Sequence, residues 1–253
     1  MSEVLPRRSL LVPAITTIVI VAALLALGAW QLERRADKLA LIAALDERLS
    51  AAPVPLPPPG RWGGLSPAKD EFRRVTLSGV IDARDQAQVF TSSSPLRKDI
   101  SGTGTWAFAP VKLAGGETVV VNRGFVADGQ DSEQDATGGP VTLTGYLRFP
   151  EAPSWLTPHA DRTKRLWFVR DHLAMAQALG WADPHRLAPF YIDLESPAPP
   201  GGIPKPGALQ VSLKNDHLQY AVTWFLLAAA VTIAFGFWLR GARRSPPVAP
   251  TSL

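Results

Sequence analysis

Leu10-Leu11-Val12-Pro13-Ala14-Ile15-Thr16-Thr17-Ile18-Val19-Ile20-Val21-Ala22-Ala23-Leu24-Leu25-Ala26-Leu27-Gly28-Ala29-Trp30 contains no charged residue. At 1.5 Å per residue a helix of this length covers about 30 Å, the thickness of a bilayer's hydrocarbon core. Pro13 falls in the first turn, where a missing N–H costs little. A second uncharged run, Tyr220 to Leu239, lies at the other end of the chain. The two runs predict a membrane protein with an N-terminal and a C-terminal transmembrane helix around one intervening domain. Arg7 and Arg8 precede the first run, and Arg240, Arg243 and Arg244 follow the second. Basic residues favour the cytoplasmic side, so both tails are expected there and the domain outside. The cluster Glu33, Arg34, Arg35, Asp37, Lys38 pulls weakly the other way, but its charges nearly balance. The predicted layout is a cytoplasmic tail over 1–9, a span over 10–32, an extracytoplasmic domain over 33–215, a span with an interfacial start over 216–240, and a second cytoplasmic tail over 241–253.

A cleaved signal peptide is the competing reading of the first run, because Ala26-Leu27-Gly28 has the small-x-small pattern of a cleavage site. The apolar stretch is longer than the usual signal core of roughly 7–15 residues, which favours a permanent span. Only a short segment precedes it, too little for a mitochondrial transit peptide, so a bacterial plasma membrane is the expected address. Across 253 residues the net charge is +4 and cysteine is absent. The absence of cysteine excludes disulfides, thiolate metal sites and thiol catalysis. Basic residues gather beside the apolar runs rather than in a stripe, so no nucleic-acid partner is expected.

Between the spans, Glu33 to Leu49 keeps a helical composition, with Leu39, Ile42, Leu45 and Leu49 spaced as on a helix, until Pro53–Gly60 breaks it. Short β-type runs follow at Arg73–Ile81, Gln86–Thr91, Thr105–Leu113, Glu117–Asn122, Val141–Phe149, Leu166–Val169 and Phe190–Leu194. Val75, Leu77 and Gly79 alternate with Arg74, Thr76 and Ser78, the period-two pattern of a half-buried strand. Gly115-Gly116 predicts a hairpin turn. One soluble helix is expected at Asp171–Leu179, capped by Asp171 and stopped at Gly180. The fold class predicted for the domain is α+β, mainly antiparallel β, as a sheet or barrel with one helix.

Catalytic signatures are missing: there is no G-x-S-x-G, H-E-x-x-H, Walker loop or G-x-G-x-x-G. The chain is therefore expected not to be an enzyme. His159, His172 and His185 are expected on the solvated surface. His217 stands apart, because Asn215-Asp216-His217-Leu218-Gln219-Tyr220-Ala221-Val222-Thr223-Trp224-Phe225 runs directly into the second span. Asn215 or Asp216 can cap that helix, and His217, Tyr220 (or Ala221) and Trp224 then share a face. Two readings are open for it. One is an interfacial aromatic belt. The other is an axial ligand for an amphipathic cofactor such as haem, with His217 as the metal donor and Tyr220 and Trp224 against the macrocycle. Trp30–Lys38 leaves the first span at the same membrane face, and Arg34 and Arg35 there suit carboxylate binding, while Lys38 is read as snorkelling to headgroups. In Val121-Asn122-Arg123-Gly124-Phe125, Asn122 and Arg123 serve a site or close a turn in which Gly124 takes a positive φ; both readings stand.

Taken in order, Leu27-Gly28-Ala29-Trp30-Gln31-Leu32 with Arg34, Arg35 and Lys38, Gly79, Ser101–Pro110, Val121–Phe125, Gly145 in Leu143–Arg148, Pro200-Gly201-Gly202-Ile203-Pro204, and the closing Asn215-x-His217-Leu218-x-Tyr220-Ala221-x-Thr223-Trp224-Phe225 resemble the surfeit locus protein one family. The closing motif joined to the W-Q-L-x-R-R start is its most specific part. Phe125 stands where the family more often has Trp. The resemblance implies an assembly factor for haem-copper terminal (cytochrome c) oxidase, whose bacterial members look like chaperones that bind haem a transiently and place it in subunit I, near the haem a synthase. It implies His217 as the haem ligand. The alternative is a structural scaffold that holds oxidase subunits without touching haem.

Overall fold

A computed structural model describes residues 10–92, 94, 96–132, 138–210 and 214–244, so Arg7, Arg8 and the predicted tail over 1–9 lie outside the described residues. The chain divides into a helical unit, 1–41 with 214–253, and a domain unit, 42–213.

The helical unit holds most of α1 (Leu11–Ser50) and all of the last helix (His217–Arg244). Both carry windows apolar enough to cross a membrane. Their side chains are turned outward: Leu11, Ile18, Leu226, Ile233 and Phe237 are all exposed, the surface a lipid solvent requires of a span. Small residues sit where the helices touch. Gly28, Ala221 and Ala228 are buried, and a Cβ on Gly28 would lie 2.5 Å from the Phe225 ring. Close approach over small residues is how helices associate where lipid removes any hydrophobic drive. Polar groups inside the spans are satisfied locally: the hydroxyls of Thr16, Thr17, Thr223 and Thr232 each donate to the carbonyl four residues earlier. The protein is a two-pass membrane protein.

The domain unit is built on one eight-stranded sheet. Its strands are β1 (Val54–Pro55), β2 (Arg74–Ile81), β3 (Ala87–Thr91), β4 (Gly104–Leu113), β5 (Thr118–Ala127), β6 (Val141–Arg148), β7 (Leu166–Trp167) and β8 (Leu187–Ser196). They run in the order β1-β2-β6-β8-β5-β4-β3-β7. An additional pairing of β2 with β4 closes β2, β6, β8, β5 and β4 into a ring. Most pairs are antiparallel, while β1–β2, β3–β7 and β5–β8 are parallel. Alternate residues of the ring point inward. Val75, Leu77, Val111, Val119, Val121, Leu143, Leu147, Phe190 and Ile192 fill the interior as one continuous cluster, as expected of a small barrel. Trp62, from the 3-10 turn at Pro59–Gly64, closes it edge-on against Phe190. Two further helices complete the unit, α2 (Pro67–Asp70) and α3 (His172–Leu179), and the C-terminal span is α4. A second cluster, with Val89, Trp106, Phe108, Val120 and Tyr191, packs Met175 and Ala176 of α3 over the outside of the barrel.

Several predicted features stand as read. Val75, Leu77 and Gly79 are buried and their neighbours are more open; Gly116 turns between β4 and β5. Asp171 accepts from Ala174 N–H at 3.0 Å, and Gly180 ends α3 in the left-handed region. Others differ. The strand predicted at Glu117–Asn122 runs on to Ala127. Gly124 has the positive φ of +133°, yet within a strand, where Phe125 and Lys205 exchange backbone hydrogen bonds at 3.0 and 2.8 Å. A Cβ there would lie 2.3 Å from the Lys205 carbonyl carbon, so the close backbone approach, not a turn, demands glycine. The strand predicted at Phe190–Leu194 extends at both ends, and Pro189 is tolerated because the β5–β8 register shifts there.

His172 is a correction. Expected on the surface, it is fully buried, its ring 5.5 Å from Tyr191 and its Nε2 3.1 Å from the Ala188 carbonyl. The reason is helical geometry: His172, Met175 and Ala176 fall at i, i+3 and i+4, the face of α3 that packs inward. His159 and His185 are exposed as expected.

Candidate functional site

His217 begins α4. Its Nδ1 lies 2.8 Å from Gln31 Oε1 on α1. A carbonyl oxygen accepts only, so Nδ1 carries the hydrogen and the Nε2 lone pair is left for another partner. Among the described residues Nε2 makes no hydrogen bond. A second residue that fixes the tautomer and ring orientation is the usual arrangement around a metal-binding imidazole. His217, Gln31, Tyr220, Lys214 and Asp216 line a recess of about 290 Å³. Lys214 and Asp216 pair at 2.6 Å on its rim.

The other predicted residues fall into three places. Tyr220 faces the recess with His217, whereas Trp224, one turn further into α4, is half-buried and does not line it. Arg34 and Arg35 follow Gln31 on α1 without lining the recess. Arg34 packs over Trp30, 5.8 Å from the ring centroid, and meets Asp37 at 3.4 Å; Arg35 is half-buried. Arg123 belongs to the domain unit and is buried in β5. Gln31 is the candidate site residue that sequence reading passed over. It stood inside the quoted W-Q-L-x-R-R start, but its role depends on a partner 186 positions away.

The group fits the haem reading in kind. No set of three or more His, Asp or Glu side chains able to hold a bare metal ion occurs among the described residues. One oriented imidazole beside a tyrosine on an apolar helix suits a metal that arrives already ringed by a macrocycle. His217 would hold the metal of such a group, and Tyr220 lines the recess beside it.

The domain carries a second polar group that the sequence concealed. Arg148 donates to Glu71 at 2.6 Å and to Asp193 at 2.7 Å, and Asn122 donates to the other Asp193 oxygen at 2.7 Å. Arg97 grips Asp99 through two bonds of 2.7 and 2.8 Å, and Lys205 joins at 3.1 Å. These donors, Arg97 first, hold the Asp99 carboxyl well below the usual carboxylate range. Burial pushes the Tyr191 phenol up, so it stays neutral. The buried charges of Arg97, Arg148 and Asp193 are paired, as desolvation requires.

The chain matches the SURF1 family over residues 18–229, a stretch that reaches from the first span through both Gln31 and His217 into the second. It belongs to the SURF1 family. Surfeit locus protein 1 of Rattus norvegicus is 33% identical over 238 residues, covering 88% of this chain and 73% of the rat protein. The protein of the same name in Homo sapiens is 33% identical over 232 residues, covering 85% of this chain and 74% of its own length. A SURF1-like protein of Monosiga brevicollis is 33% identical over 239 residues, covering 88% and 87%. The resemblance read from the motifs is thereby established over most of this SURF1-family chain.

Proposed function

We propose that this SURF1-family protein is an assembly factor for a haem-copper terminal oxidase of a bacterial plasma membrane. In this reading it binds haem a transiently through His217 and passes it to oxidase subunit I, with haem a synthase as the upstream neighbour and without turnover of its own. The observation that carries the haem reading is the Gln31–His217 hydrogen bond, which occupies Nδ1 and leaves Nε2 for another partner. Haem bound there would supply an iron that accepts an imidazole nitrogen, and the chain's part is to bind and orient it. Tyr220 would cover one face, and the exposed Leu218 beside it is apolar. Arg34 and Arg35, one turn from Gln31, are suited to ion pairs with carboxylates at the edge of such a ligand.

The test is spectroscopic. Protein co-expressed with haem a synthesis and purified in detergent is expected to carry a Soret-absorbing pigment, which His217→Ala loses. Gln31→Leu should retain the ligand but weaken binding by about 10–100-fold, the usual cost of removing a residue that orients a metal-bound histidine. A colourless wild-type preparation overturns the haem reading.

A scaffold that never touches haem is favoured by a different feature. Trp155 is 90% exposed on a turn held by Thr157 N–H to Ser154 O and Ser154 N–H to Thr157 Oγ1. An exposed tryptophan on a hydrogen-bonded turn beside exposed Leu156 is a protein-docking feature. If this reading is right, His217→Ala leaves capture of subunit I unchanged and Trp155→Ala abolishes it.

A further inference from the structure

Phe90 and Thr91 at the end of β3, Trp106 of β4 and the Phe168–Arg170 segment after β7 enclose a recess of about 260 Å³ in the domain, with Arg148 and Glu151 on its wall. A smaller enclosed space adjoins it behind Trp106 and Arg170. The charges around it are unevenly compensated. Arg97 and Arg148 are bonded to Asp99 and to Glu71 and Asp193. The Arg170 guanidinium, by contrast, has no hydrogen bond or ion pair among the described residues. It only stacks over Trp106, 5.0 Å from the ring centroid. Glu151, on the same wall, accepts from the Arg170 backbone N–H at 3.2 Å instead.

Trp106 itself is 3% exposed, and its Nε1–H is buried out of reach of the recess. A partly buried guanidinium left without an acceptor carries a desolvation cost that a bound acceptor removes. The recess therefore calls for an anion. Its planar five-donor fork matches a carboxylate. A single guanidinium without a hydrogen-bonded partner, with Glu151 on the same wall, suits a monoanion better than a doubly charged phosphate. The wall also carries aromatic surface: the rings of Phe90 and Phe168 pack 6.1 Å apart, and Phe90 is 44% exposed at the mouth.

We propose that this recess binds a carboxylate carried on a flat apolar body, its head on Arg170 and its body against the packed pair of Phe90 and Phe168. Two sources share that chemistry: a free aromatic acid and the C-terminal residue of a polypeptide. The site is independent of His217, which belongs to the other unit.

The test uses the full chain in detergent, with 4-fluorobenzoate followed by fluorine NMR and N-acetylphenylalanine as competitor. Wild-type protein is expected to broaden the fluorine line saturably, and N-acetylphenylalanine to reverse it. N-acetylphenylalaninamide and inorganic phosphate should not. Arg170→Gln should weaken binding at least tenfold, Arg170→Lys less, and Phe90→Ala severalfold. Tighter binding of N-acetylphenylalanine than of 4-fluorobenzoate assigns the site to a polypeptide end, and the reverse to a free acid. Binding unchanged in Arg170→Gln, or equal competition by the amide, overturns the proposal. Should Arg170→Gln fail to fold, unchanged affinity in both Arg170→Lys and Phe90→Ala does the same. His217→Ala is expected to bind the acid normally, so the haem reading can fail without this one.

Discussion

His172 holds its place by packing, with one ring nitrogen on the Ala188 carbonyl and Nδ1 unpaired in the interior. Burial pushes its pKa down from about 6.5 to about 4, because the imidazolium would lose its water. The unfolded chain therefore takes up a proton near pH 6.5 that the folded chain refuses until about pH 4. Stability associated with His172 is complete above that window and is lost as pH falls through it, by about 3 kcal/mol in all. Urea titrations at intervals from pH 7 to pH 4 should show this slope in the wild type. In His172→Gln, which keeps a donor for Ala188 but cannot titrate, the slope should be shallower by that amount. The helical spacing of His172, Met175 and Ala176 was present in the sequence, whereas the side of α3 that faces the barrel was not. His217 is the opposite case. Its position at the mouth of a span was plain from composition, but the lock on its tautomer came from Gln31, a contact that no local pattern announces.

At the scale of elements, the two spans are legible end to end, because a hydrocarbon solvent selects for uncharged runs of one length. Their packing is carried by Gly28 against Phe225. Gly28→Ala puts a methyl group into that ring and should cost about 1–3 kcal/mol, the usual range for overpacking. In a Phe225→Ala background the same substitution should cost little. A double-mutant cycle of thermal unfolding in detergent measures the difference, and equal costs in both backgrounds would contradict the packing. In the domain, strand positions were readable from alternation, but strand ends were not. β5 runs past Asn122 because β4 on one side pairs with it as far as Ala127, and on the other side, where β8 stops at Asn122, Lys205 takes up the ladder at Phe125. Buried on both faces, it has no alternation to read. Partners supplied from 70 or more residues away leave no mark on local composition.

For the whole molecule, a two-pass chain with basic tails predicts that both ends share one side of the membrane and the domain the other. The chain has no cysteine, so single reporters are clean. Ser2→Cys in inside-out vesicles and Gly129→Cys in spheroplasts should each react with a membrane-impermeant maleimide, and neither in the reverse preparation. Reaction of both in one preparation would refute that topology. The sequence by itself determined the membrane class, the number of spans, the mainly antiparallel domain and the family, since each follows from local hydrophobicity, alternation or an ordered series of motifs. Only the tertiary structure decided the closure of five strands into a ring, the burial of His172, the Gln31–His217 bond and the grouping of Arg97, Arg148 and Arg170 around Trp106. Those arginines lie in separate segments between β3 and α3, each looking like an ordinary surface charge. Desolvation brought them to matter only when strand pairing placed them together, since the energy of a buried charge depends on neighbours that sequence distance does not record.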